Sequence, residues 1–346
     1  MSLVVRARAP LRLSFGGGGT DVSPYPEERG GVVLSTTIDK FAYASIHPRR
    51  DSRFSIHSID FERVARYPHV RRLPFDGDLD LIKAVVRAFK PKTGARLVIH
   101  SDAPPGSGLG SSSTLVVALV AALREWLSRP LTEIEMAELA YRIERVDLGI
   151  AGGRQDQYAA TFGGFNFIEF QAQATIVNPL RIPTHALREL EYRLLLCYLK
   201  QTRSSAAIIE RQRASYVAGK RKVVKALDAL KAHTHAMKQA LLLGDIDTFG
   251  GLLHEAWMAK KGLDAGISTG PVDALYEKAR KAGALGGKMP GAGGGGYFLF
   301  LCRADRKHEV ARALEAAHGQ LVPFAFTQEG VTAWSAGNER ARPKRP

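Results

Sequence analysis

Apolar positions first fall into a regular rhythm between Leu3 and Phe15. Val5, Ala7, Leu11, Leu13 and Phe15 keep two-residue spacing and predict a strand interrupted at Pro10. Gly31–Ile38 and Phe41–His47 are β-rich runs that read as a hairpin or meander, with a further strand near Arg53–Ile59. Leu79–Phe89 reads as a helix, and Arg96–Ser101 as a strand bounded by Gly94 and the Pro104-Pro105 pair. Beyond it Leu115, Leu119, Ala122 and Trp126 recur at helical spacing. Leu131–Leu148 is a helix opened by a capping box, Thr132 with Glu135. A turn and helix start at Gly152-Gly153 and close at Gly163-Gly164, before a strand over Phe165–Phe170.

Near residue 185 the pattern changes. Tyr192–Leu199 is an apolar strand, Ser204–His235 is helix-rich and basic, and Ala236–Met258 is helical again. A short helix (Val272–Lys281), a strand (Tyr297–Leu301), a helix (Lys307–Ala317) and a strand (Leu321–Phe326) complete the pattern. An α+β chain in two parts is expected, residues 1–187 and 188–335. Residues 336–346, with Arg340, Arg342, Lys344 and Arg345, are expected to be a disordered basic tail.

Composition narrows the class. Hydrophobic residues at 45% and charged residues at 24% of 346 are the balance of a globular protein. No apolar run approaches the roughly 18 residues of a membrane span. The start, Met-Ser-Leu-Val-Val-Arg, lacks the layout of a secretory leader, so a cytoplasmic protein is expected. Cys197 and Cys302, each inside an apolar run, read as buried free thiols. The net charge of +15 is spread along helices without a nucleic-acid motif. An acidic small molecule fits it better than a nucleic acid or a membrane.

The chemistry concentrates in glycine. Pro105-Gly106-Ser107-Gly108-Leu109-Gly110-Ser111-Ser112-Ser113 joins a strand to a helix N-terminus. Glycines there let the backbone approach a ligand, and the helix start offers unpaired N–H groups, so a phosphate chain is the natural guest. The alternative is a Gly/Ser connector with ordinary capping. Gly16-Gly17-Gly18-Gly19-Thr20-Asp21 ends the first strand, where Asp21 either caps a turn or serves a site. Lys288-Met-Pro-Gly-Ala-Gly-Gly-Gly-Gly296 precedes a late strand. Gly283–Lys288 is one residue short of a Walker A loop and lacks its hydroxyl, so it is not one. Glu144 interrupts an apolar stripe and is either an edge residue paired with an arginine or a cleft residue. Asp156 follows two glycines and is either a helix-start carboxylate or a catalytic one.

Taken in order, Arg8–Asp21, Pro105–Ser113 and Lys288–Gly296 resemble the three motifs of the GHMP small-molecule kinases, over residues 6 to 327. The resemblance implies a two-domain GHMP kinase fold, with an N-terminal domain like ribosomal protein S5 domain 2 and a ferredoxin-like C-terminal domain. It implies ATP and Mg2+, with phosphates wrapped by residues 105–113, the metal on Ser112 and Glu144, Asp156 as base and Arg12 on the transferring phosphoryl group. The Gly-Gly-Gly-Thr-Asp form departs from the Gly-Glu-His of galactokinases. With Gly153–Tyr158 and Gln201–Ser205 it is similar to the sugar 1-kinases for D-glycero-D-manno-heptose 7-phosphate and for fucose. Substrate contacts are then expected from Gly18, Gly19, Thr20, Asp21, Arg203, Gly293 and Gly294. Partners would be a sugar phosphate and ATP, in a monomer or homodimer, with a non-catalytic RNA-binding protein as the contrasting reading.

Overall fold

The computed structural model describes residues 4–200 and 205–337. Its spine is the strand Val4–Gly16, which threads two hydrophobic cores. Val5, Ala7 and Ala9 pack into one core with the helices Asp80–Phe89 and Ser111–Trp126, while Leu11, Leu13 and Phe15 enter the other. The register with the next strand shifts between Pro10 and Arg12, and again between Ser14 and Gly16. Proline cannot donate to the ladder, and the resulting bulge re-aims the side chains that follow. Arg12 is turned into the space between the two cores by this irregularity.

The expected hairpin over 31–47 is instead one strand, Gly31–Pro48. Both halves pair with Val4–Gly16, but the first also takes Asn166–Phe170 and the second Ala95–Ser101. Asp39-Lys40, which reads as a turn, is the joint: the Asp39 N–H and carboxylate bind the backbone of Ala325. Phe54–Ser58 lies parallel to Ala95–Ser101 and continues to Arg63–Tyr67, while Thr175–Pro179 pairs with Asn166–Phe170.

A second, four-stranded antiparallel sheet runs in the order Gln320–Leu321, Leu194–Tyr198, Tyr297–Cys302, Ala284–Lys288. That is the fourth-first-third-second order of a ferredoxin-like sheet, with helices over it from Ser205 to Lys261 and at Gly270–Ala282 and Lys307–Ala316. The expected last strand is split by Pro323. Gln320–Leu321 stays in this sheet, and Phe326–Thr327 and Thr332–Ala336 return to the first, so the second unit does not run on to 335. Ala336, assigned to the tail, pairs with Val4. The basic residues 340–345 lie outside the described residues. Cys197 and Cys302 are buried free thiols, and burial pushes both up to about 12.

Candidate active site

The middle glycine loop is built by division of labour. Gly106, Gly108 and Gly110 hold φ of +74°, +85° and +78°, a region only glycine adopts cheaply. The residues between them anchor the loop: Ser107 accepts from the Tyr297 N–H (2.9 Å), and Leu109 is buried in the core. Gly110 precedes the helix Ser111–Trp126, whose first turn has no acidic residue to compete for its N–H groups. Ser112 is exposed toward the cleft, whereas Ser113 accepts from Arg145 at 3.1 Å. Pro105 stands outside the lining, at the mouth of the turn.

Arg12 is buried and ties the loop to the catalytic candidate. Its guanidinium donates to the Gly108 carbonyl (2.9 Å) and to the Asp156 carboxylate (2.7–2.8 Å). Asp156 sits in the first turn of Gln155–Phe162, close enough to Gly110 that a Cβ there would lie 3.1 Å from its Cγ. Glu144 lies on a π-helical turn, Arg142–Asp147, that continues the helix Glu133–Tyr141 where one regular helix was expected. Such wide turns redirect a side chain, here into a buried position on the cleft wall. Gln157 Nε2 donates to Glu144 (2.7 Å) and Arg145 flanks it at 3.3 Å, while burial holds its carboxyl above the usual range.

Asp21 is almost fully buried and accepts from the backbone N–H of Gly19 (2.9 Å) and of Gln155 (3.1 Å) and from the Gln155 amide. Gly153 lies so close that a Cβ would stand 1.9 Å from Asp21 Oδ2. Gly18 and Gly19 line the cleft beside it. Two expectations fail. Thr20 points into the sheet, its hydroxyl held by Val32 and Gly17, so it has nothing left for a substrate. Gly294 donates to Ile267 (2.9 Å) and Gly293 packs on the same carbonyl, leaving Gly291 and Ala292 to face the cleft. Arg203 lies outside the described residues.

Several cleft residues escape a motif reading. Gln155 holds Asp21, Gln157 and Arg145 hold Glu144, and Lys260 enters from the helix Ile246–Lys261. Lys260 Nζ donates to the carbonyls of Gly291 and Met289, and burial, reinforced by Arg12, lowers it to about 8. Lys288, from the third motif, is buried behind it and donates to the Ser14 carbonyl (2.8 Å). Leu253, Ala256 and Trp257 are apolar at the preceding helical positions, so a lysine on that stripe was a readable signal. Together these residues enclose a cleft of about 330 Å³, between the two sheets, holding Arg12, Asp21, Glu144, Asp156 and the glycine loop.

A glycine loop at a helix start facing an arginine-held aspartate, across a two-lobed cleft, defines a small-molecule kinase site, and the chain belongs to the GHMP kinases. Residues 80–164 match the GHMP kinases N terminal domain and residues 237–320 the GHMP kinases C terminal. ATP is accordingly the phosphoryl donor of this family. The chain is 40% identical over 336 residues to the D-glycero-alpha-D-manno-heptose 7-phosphate kinase of Campylobacter jejuni, covering 95% of this chain and 98% of that one. A solved D-glycero-D-manno-heptose 1-phosphate kinase from Bacteriodes thetaiotaomicron superposes with a TM-score of 0.81 at 37% identity, over 96% of this chain and 100% of that one. The L-fucokinase/L-fucose-1-P guanylyltransferase of Bacteroides fragilis is 27% identical over 332 residues, 87% of this chain and 35% of that protein.

Proposed function

We propose that this protein is an ATP-dependent sugar 1-kinase that phosphorylates the anomeric hydroxyl of D-glycero-D-manno-heptose 7-phosphate, for GDP-heptose and surface polysaccharide synthesis. The observation that carries the reading is the Arg12–Asp156 pair, bonded directly to the phosphate loop through Gly108. The near-full-length likeness to a heptose 7-phosphate kinase supports the substrate, and the weaker likeness to a fucokinase ranks below it.

In this reading the N–H groups of Gly106 to Ser113 cradle the phosphate chain, and the helix dipole favours its charge. Asp156 accepts the proton of the attacking hydroxyl, and Arg12 both orients that carboxylate and faces the transferring phosphoryl group. Arginine stays cationic, so it offsets charge without exchanging a proton. Asp21, fixed by two backbone donors, offers its remaining acceptor capacity to sugar hydroxyls.

The donor set also fits magnesium. Glu144 is a buried carboxyl with one arginine at 3.3 Å, Ser112 presents its hydroxyl on the same wall, and the buried Gln157 Oε1 lacks a hydrogen-bond partner among the described residues. These are the hard oxygen ligands the ion takes, with phosphate oxygens completing its shell. When bound, the ion neutralises charge on the phosphates. No helix among the described residues is long and apolar enough to cross a membrane, and two buried thiols suit a reducing cytoplasm.

ATP consumption is to be measured with heptose 7-phosphate, unphosphorylated heptose, fucose and galactose. Turnover is expected with heptose 7-phosphate at a kcat/KM at least tenfold above the others. Preference for fucose would overturn the substrate, and salt-sensitive RNA retention without turnover on any sugar would overturn the kinase.

A further inference from the structure

We infer that Lys260 is a second catalytic cation, which contacts the transferring phosphoryl group from the side opposite Arg12. The inference rests on the kinase reading above, since it assigns the residue to a step of that reaction.

Three observations meet here. First, among the cations lining the cleft, Arg12 is neutralised by Asp156 at 2.7 Å and Arg145 flanks Glu144 at 3.3 Å. Lys260 has only main-chain carbonyls as hydrogen-bond acceptors among the described residues. Second, it is almost fully buried. An ammonium taken out of water without a counter-charge is costly, and a fold retains one where an anionic ligand will complete it. Third, its place is set against the phosphate loop. The carbonyl it holds belongs to Gly291, and a Cβ on Gly291 would stand 2.7 Å from Gly108 Cα. Gly108 is the residue whose carbonyl Arg12 binds. An ammonium carries three N–H groups, and two carbonyls leave one for the cleft.

Of the charged groups around it, Arg12 disfavours its proton and Asp21 and Asp156 favour it, while Lys260 in turn disfavours the proton on Lys288. None of these carboxylates is within ion-pair distance. A phosphoryl group gathering charge in transfer would be the stronger anion, and a preorganised donor of this kind contributes about 10²–10³-fold in rate.

Lys260→Met keeps the stem and removes the charge. Its kcat is expected to fall about 10²–10³-fold while the KM for the sugar changes less than about threefold. Its thermal midpoint should match or exceed that of wild type, because the buried unpaired charge is gone. Lys260→Arg keeps a cation, and the alkaline loss of kcat/KM, expected above about pH 8 in wild type, should move upward. Wild-type kcat in Lys260→Met, a lowered midpoint proportional to the activity loss, or an unmoved alkaline limb in Lys260→Arg would each overturn the inference. Absence of turnover in the wild type on every sugar would instead overturn the kinase reading.

Discussion

Of the three lysines buried among the described residues, Lys83 and Lys260 live in opposite circumstances. Lys83, on the helix under the first sheet, donates to Pro74 and is flanked by Asp80 at 2.8 Å and by Asp76. Burial pulls its pKa down, but hydrogen bonds to the two aspartates outweigh that and raise it. Lys260, in the cleft, has no such partners, and burial wins, bringing it to about 8. One lysine is finished by the fold and the other is left open. An ammonium that lacks a counter-charge and lines a cleft marks a place where a ligand is meant to arrive, whereas one with its counter-charge supplied only holds the lobe together.

Asp156→Asn should cost about 10²–10⁴-fold in kcat, because the amide fills the same space but cannot take the proton, and should also lower the Tm, because the buried Arg12 loses its counter-charge. A loss below tenfold in a steady-state assay would remove the base and with it the kinase geometry. The double change Asp76→Asn with Asp80→Asn would leave Lys83 as bare as Lys260. It should lower the urea midpoint and leave kcat unchanged. An unaffected urea midpoint would mean that the aspartates contribute nothing to Lys83.

The smallest effect tests the same logic with the opposite sign of charge. Burial holds the Glu144 carboxyl above its ordinary range, so the folded chain keeps a proton that the unfolded chain has released. Stability is therefore lost as pH rises from the unfolded value through the folded one. Glu144→Gln should be more stable than wild type near pH 7, and the gain should vanish toward about pH 4. Equal unfolding curves at both pH values would show that Arg145 already compensates the carboxylate in the absence of any ligand.

Much of this site could be read from sequence because glycine advertises backbone duties. The loop at 105–113 and the run ending at Asp21 are conspicuous in composition, and Glu144 breaks an apolar stripe. What stayed hidden depends on contacts distant along the chain. Thr20 looks like a substrate residue beside Asp21, yet Val32, twelve positions on, claims its hydroxyl. Gly293 and Gly294 look like part of the cleft, yet Ile267 claims them. The strand Gly31–Pro48 reads as two because its partners change at Asp39-Lys40, and periodicity carries no record of partners. Lys260 was legible in principle, as a charge on a buried helical stripe, but it belongs to no glycine motif.

The return of the chain to Thr332–Ala336 makes the first sheet a closed seam, with Val4 to Arg8 stitched to the other terminus. The ferredoxin-like lobe is then an excursion from that seam, leaving near Leu180–Pro183 and re-entering near Val322–Ala325. Each crossing contains a proline. Any breathing of the lobes around a nucleotide must be taken up by these two stiff straps, as a small rotation on a paired hinge and not as a swing from one tether.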